Sequence, residues 1–141
     1  MSTIAWDGKA LAVDRQGNNS GQRILCDKHR VSDGVVVAWT GEQERGLLLA
    51  EWYFNGADPE DWPDFQTEGK DFTRLIVFSG GKVVEYESLP VAQEVQDNFA
   101  AWGSGRDFAL GAMALGSDAK GAIGVASTLD LYTGMGVVCF G

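Results

Sequence analysis

The chain has 141 residues, 20 acidic against 11 basic, for a net charge of −9; that length suits one domain, residues 1–141, with a substantial core, and is too short for two ordinary ones. The acidic balance excludes a nucleic-acid surface, which needs clustered Lys and Arg to neutralise phosphates. No apolar run approaches the roughly 20 residues that cross a bilayer, and the basic-then-apolar layout of a signal peptide is missing, so a cytoplasmic protein touching neither membrane nor nucleic acid is expected.

Taken in chain order, Thr3 to Trp6 and Ala10 to Val13 are short apolar runs around Asp7-Gly8, a dipeptide that supplies positive φ, which predicts a β-hairpin. The polar stretch Gln16 to Gln22 reads as a loop and Ile24 to Val31 as a strand. After a turn at Ser32-Asp33-Gly34, the apolar run Val35 to Trp39 predicts a strand buried on both faces. Glu42 to Phe54, with an acidic first turn and clustered Leu, Trp and Tyr, predicts a helix with a broad buried face. Asn55 to Lys70 reads as an irregular connection.

Thr73 to Phe78 and Lys82 to Tyr86 flank Gly80-Gly81 and predict a second hairpin. Trp102-Gly103-Ser104-Gly105 reads as a glycine-rich turn leading into a helix that carries Phe108, Ala109, Ala112, Met113 and Leu115. Ser117-Asp118 caps a further helix through Leu129, and the chain from Gly134 closes as a strand. Strands and helices do not alternate, which favours an α+β fold with stacked antiparallel sheets over a doubly wound parallel one. Cys26 and Cys139 lie in apolar, strand-like segments without CxxC spacing and read as buried free thiols.

Familiar catalytic signatures are missing. There is no GxxxxGK[ST] loop and no HExxH, and the single histidine, His29, reads as structural or surface, so neither a metal nor another cofactor is expected. Gly103-Ser104-Gly105 lacks the flanking pattern of a nucleophile elbow. Read alone, Asp14 is a turn-forming carboxylate, Lys28 a solvated strand lysine, Ser104 a helix N-cap, Asp130 a helix-end acid and Thr133 a strand-start hydroxyl.

Several of these pieces, in their common order, resemble the proteasome β-subunit and HslV family of N-terminal-nucleophile (Ntn) hydrolases. They are Ser2-Thr3-Ile4 followed by two strands ending in Asp14; Lys28 on the next strand; Trp39-Thr40-Gly41; Gly103-Ser104-Gly105 before a small-residue helix; and Asp130-Leu131-Tyr132-Thr133-Gly134 after the following one. The resemblance covers most of the chain apart from about residues 55 to 95, where the family's second long helix is missing. It implies a four-layer αββα sandwich of two antiparallel sheets flanked by helices, with a shortened helical layer.

The resemblance also implies a peptidase with Ser2 as nucleophile. Removal of Met1, normal ahead of a residue as small as serine, exposes an α-amine with an ordinary pKa near 7.7–8.0 that takes the hydroxyl proton. Lys28 is then a fixed positive charge beside the nucleophile, oriented by Asp14, with Arg30 the alternative on the same strand face. The N–H of Gly41 faces the oxyanion, while Ser104, Asp130 and Thr133 orient Ser2. Gly17 and Asn18 pair with an extended substrate, Trp39 floors a pocket for small side chains, and Thr40 lines it. Serine in place of the family's threonine leaves χ1 freer, and Glu42 replaces a family glycine.

The implied partners are a peptide or unfolded-protein substrate, copies of the chain in a homo-oligomeric ring, and an AAA+ unfoldase. Two readings stand beside this one: a catalytically inactive ring or scaffold protein that keeps Met1, and an amidase acting on a small substrate.

Overall fold

The computed structural model describes residues 2–63 and 73–141, which fall in two compact units, Met1–Lys28 with Gln96–Gly141, and His29–Val95. Both are built of antiparallel strands and helices, an α+β fold. Among the described residues no helix is long and apolar enough to cross a membrane.

In the first unit β1 (Thr3–Trp6) and β2 (Leu11–Asp14) form the expected hairpin, closed by Gly8 at φ +94 and by Asp7, whose carboxylate accepts the N–H groups of Lys9 and Ala10. β10 (Ala100–Gly103) joins beside β1 and β11 (Val137–Phe140) beside β2, giving the order β10-β1-β2-β11. Ala5 lies opposite both Ala12 and Ala101. These small side chains let α2 (Arg106–Ala114) and α3 (Ala119–Leu129) approach closely, and Ala109, Met113, Ala122 and Ile123 complete the core there. Because side chains alternate along a strand, Thr3, Asp14 and Gly103 share that alanine face at its open end. Every residue of β1 and β2 is buried, which explains the lack of polar alternation in both. The expected cap of α3 is present: Asp118 accepts the N–H of Gly121 at 2.8 Å.

Several expectations for this unit are corrected. Gln16 to Gln22 is not a loop: β3 (Gln16–Asn19) and β4 (Gln22–Leu25) pair around Ser20-Gly21, both at positive φ. β4 is exposed throughout, so burial imposes no hydrophobic pattern on it. The single strand predicted over Ile24 to Val31 is broken at residues 26–28, where the backbone turns to bring Lys28 beside Gln16. Of the turn expected over Trp102 to Gly105, Ser104 and Gly105 do turn into α2, but Trp102 and Gly103 belong to the strand Ala100–Gly103, held by pairing with β1. Cys139 is exposed and Cys26 half-buried, both as free thiols, so neither is the buried thiol expected.

The second unit is a five-stranded meander in the order β5-β6-β7-β8-β9, from β5 (His29–Ser32), β6 (Val35–Thr40), β7 (Arg74–Ser79), β8 (Lys82–Tyr86) and β9 (Gln93–Glu94). The predicted turns at Asp33-Gly34 and Gly80-Gly81 both sit at positive φ. Helix α1 (Gln43–Phe54) packs Leu49, Ala50 and Trp52 over Val37, Trp39, Leu75 and Val77. Its buried face is narrower than expected, since Leu47 and Leu48 are exposed. Between α1 and β7 a 3-10 turn spans Pro59–Asp61. No α-helix occurs among the described residues of 55–95, and positions 64–70 of the expected irregular connection lie outside those residues.

Candidate active site

Of the predicted site residues of the first unit, Ser2, Asp14, Lys28, Ser104, Asp130 and Thr133 converge at the open end of the β1–β2 hairpin. Ile4 lies opposite Val13, so Thr3 and Asp14 leave the ladder side by side. Asp14 is buried and accepts four donors. On Oδ1 these are Lys28 Nζ at 2.8 Å and the Thr3 N–H at 3.0 Å; on Oδ2, the Gly134 N–H at 3.1 Å and the Gln16 N–H at 3.4 Å. Lys28 is 3% exposed and also donates to the Gln16 carbonyl. Burial pushes its ammonium below the ordinary lysine range, against the attraction of Asp14. A buried cation that makes these bonds has one fixed position.

A second cluster forms where β10 meets α2 and where α3 ends. Asp130 Oδ2 accepts from Ser104 Oγ and from Thr133 Oγ1, each at 2.6 Å, and Oδ1 accepts the Tyr132 N–H at 3.2 Å. Partial burial alone would raise the carboxyl pKa, but these three donors outweigh it and hold Asp130 below the usual range. Thr133 Oγ1 is also 2.6 Å from Thr3 Oγ1, which accepts the Gly105 N–H at 3.0 Å.

Ser2 lies between the two clusters in the chain's own path. Its carbonyl accepts the Ser104 N–H at 2.9 Å. Its side chain is fully buried, and its Oγ has no hydrogen-bond partner among the described residues. Leaving a buried hydroxyl unpaired costs about 1–3 kcal/mol, and such a group calls for a reason beyond stability. Glycine is required at two neighbouring positions. Gly103 has φ +99, and a Cβ there would lie 1.7 Å from the Ser2 oxygen; at Gly105 it would lie 2.5 Å from Thr3 Oγ1.

The remaining predicted residues lie elsewhere in their units. Gly17 and Asn18 are in β3, whose partner is β4, and a Cβ on Gly17 would strike Cys26. Trp39, Thr40 and Gly41 belong to the second unit, at the end of β6. There Trp39 is a fully buried core residue, donating from Nε1 to Gln43 at 3.0 Å, and Gly41 has φ +98. Arg30 sits over the Phe54 ring, 5.4 Å from its centroid, in the same unit. It is Lys28, then, that reaches Asp14. Among the described residues no group of His, Cys, Asp and Glu could hold a metal ion.

No protein-family model and no curated relative matches this sequence. Among solved structures the chain is similar to Thiobacillus denitrificans BPH, with a TM-score of 0.73 at 22% identity over 99% of this chain and 95% of that one. BPH in complex with epoxomicin aligns at 0.72 and 20% identity over 99% and 96%. Eukaryotic HslV from Trypanosoma brucei aligns at 0.70 and 20% identity over 99% and 97%. The chain has the HslV-like fold.

Two residues of this buried cluster escape sequence reasoning. Thr3 sits in an apolar strand, where threonine reads as an ordinary β-former. Gln16, fully buried, donates from Nε2 to the Leu131 carbonyl at 2.9 Å and offers its own carbonyl to Lys28, yet it opens the polar stretch read as a loop. A polar residue in a run buried on both faces was the available signal for Thr3. For Gln16 the sequence held none.

Proposed function

We propose that this chain is an HslV-like peptidase subunit that hydrolyses peptide bonds with Ser2 as an N-terminal nucleophile, exposed by removal of Met1. The observation that carries the proposal is the buried Lys28–Asp14 pair, tied through Asp14 Oδ1 to the N–H of Thr3, the residue next to a buried and unpartnered Ser2 hydroxyl.

In the proposed reaction the α-amine of Ser2 takes the proton from Oγ as Oγ attacks the substrate carbonyl. The amine then passes its proton to the leaving amine, an ester to Ser2 remains, and water activated by the same α-amine hydrolyses it. Lys28 keeps a positive charge beside the developing alkoxide and Asp14 fixes its place. Ser104, Asp130 and Thr133 hold the amine. An extended peptide adds to β3 at Gly17 and Asn18. The epoxomicin complex of BPH supports a ligand of that peptide-like class here. By the same reading the subunit assembles into a homo-oligomeric ring and receives unfolded protein from an AAA+ unfoldase.

The second reading, a catalytically silent ring or scaffold protein with Met1 retained, draws on the complete burial of Ser2. Mass spectrometry of the purified N-terminus, combined with turnover of a fluorogenic peptide, separates the two. The peptidase reading predicts a chain beginning at Ser2 and turnover that Ser2→Ala abolishes. An intact Met1 with no turnover supports the scaffold.

A further inference from the structure

The hydrogen bonds around Thr133 can run in only one direction. Its hydroxyl has a single proton and two oxygen neighbours at 2.6 Å, Asp130 Oδ2 and Thr3 Oγ1. The carboxylate can only accept, so Thr133 donates to Asp130 and Thr3 must donate to Thr133. The Thr3 oxygen is in turn met by the Gly105 N–H, at the start of α2, where helix N–H groups carry partial positive charge. Ser104 likewise commits its only proton to Asp130 at 2.6 Å, so its 3.5 Å approach to the Ser2 carbonyl is not a hydrogen bond. Both Ser104 and Thr133 are therefore left with acceptor lone pairs alone, the arrangement that receives an N–H group.

We propose that Thr3 is a positioning residue for the reaction at Ser2: by donating to Thr133 it fixes the proton polarity of the Gly105–Thr3–Thr133–Asp130 chain and holds Thr133 as an acceptor for the Ser2 amine. This rests on the peptidase reading above. Thr3 is fully buried and needs no contact with substrate. It acts on the amine through Thr133, so its removal slows the chemical step and leaves substrate binding alone.

The test is peptide turnover by the Met1-free protein with Thr3→Val, which keeps the shape and deletes the hydroxyl, Thr3→Ser, Thr133→Val and the Thr3→Val/Thr133→Val pair. The expected result is a fall in kcat of about tenfold with KM unchanged for Thr3→Val, and recovery in Thr3→Ser. The double variant should be no slower than Thr133→Val, because both substitutions break one chain. Unchanged kcat in Thr3→Val, or multiplicative losses in the pair, overturns the role of Thr3 while leaving the peptidase intact. A wild-type chain that turns over no peptide overturns both. Should Thr3→Val fail to fold, hydroxyl-proton exchange in the wild-type protein decides: a protected Thr3 proton supports the chain, and one exchanging as fast as an exposed threonine's overturns it.

Discussion

Lys28 Nζ and the backbone N–H of Thr3 donate to the same oxygen of Asp14, at 2.8 and 3.0 Å. One buried carboxylate thus couples the cation to the chain segment that carries Ser2. Lys28→Met leaves that carboxylate buried without its counter-charge, which is expected to destabilise the fold by about 3–5 kcal/mol. Peptide turnover is expected to fall by about 10²-fold or more through loss of charge beside the nucleophile. Urea unfolding and steady-state kinetics check the two effects separately.

Glycine substitutions give opposite outcomes at sites that differ in backbone conformation and surroundings. Gly103→Ala drives a Cβ to 1.7 Å from the Ser2 oxygen at φ +99, and is expected to displace β1 and abolish turnover. Gly111→Ala, inside α2 with nothing within 4 Å of the new Cβ, is expected to stabilise the fold by about 0.5–1 kcal/mol through helix propensity. Thermal melts of the two variants test the contrast.

The donors around Asp130 hold its pKa below 3.8 in the folded chain, so between that depressed value and 3.8 the unfolded chain binds more protons. Stability from this group is present above pH 3.8 and is lost as pH falls through the native value. Asp130→Asn is expected to lower stability at neutral pH and to flatten this acid limb, as followed by circular dichroism between pH 2 and 6 (about the range set by an ordinary carboxylate).

On the alkaline side the sign reverses for activity. Burial lowers the Lys28 pKa from 10.5, so the ammonium is lost earlier than in an exposed lysine. The kcat profile is expected to fall below pH 10.5 on that limb, and a pH titration of turnover measures it.

What the sequence reveals of this fold is its turns and its buried runs. Asp33-Gly34 and Gly80-Gly81 were legible because only a few residue types accept positive φ, and Val35 to Trp39 because a strand buried on both faces must be apolar. The Ser20-Gly21 hairpin was not, since its strands lie in polar, largely exposed sequence. β10 was missed because Gly103, required by the Ser2 carbonyl, looks like a turn residue. Asp14, Lys28, Ser104, Asp130 and Thr133 stood out only through family resemblance; their local readings were all ordinary. The partners of Thr3 at Gly105 and Thr133 lie more than 100 residues away along the chain, beyond the reach of any local pattern.

The central claim is that Ser2 presents a free amine and a hydroxyl together beside a buried cation. An epoxyketone such as epoxomicin tests it directly, because hydroxyl addition to the ketone and amine opening of the epoxide close a ring only when both groups belong to one residue. Incubation of the intact protein with epoxomicin, followed by peptide mapping, is predicted to place one adduct on Ser2 of a chain lacking Met1, and none on Ser2→Ala. An adduct at any other residue, or an unmodified chain with Met1 still attached, contradicts the account.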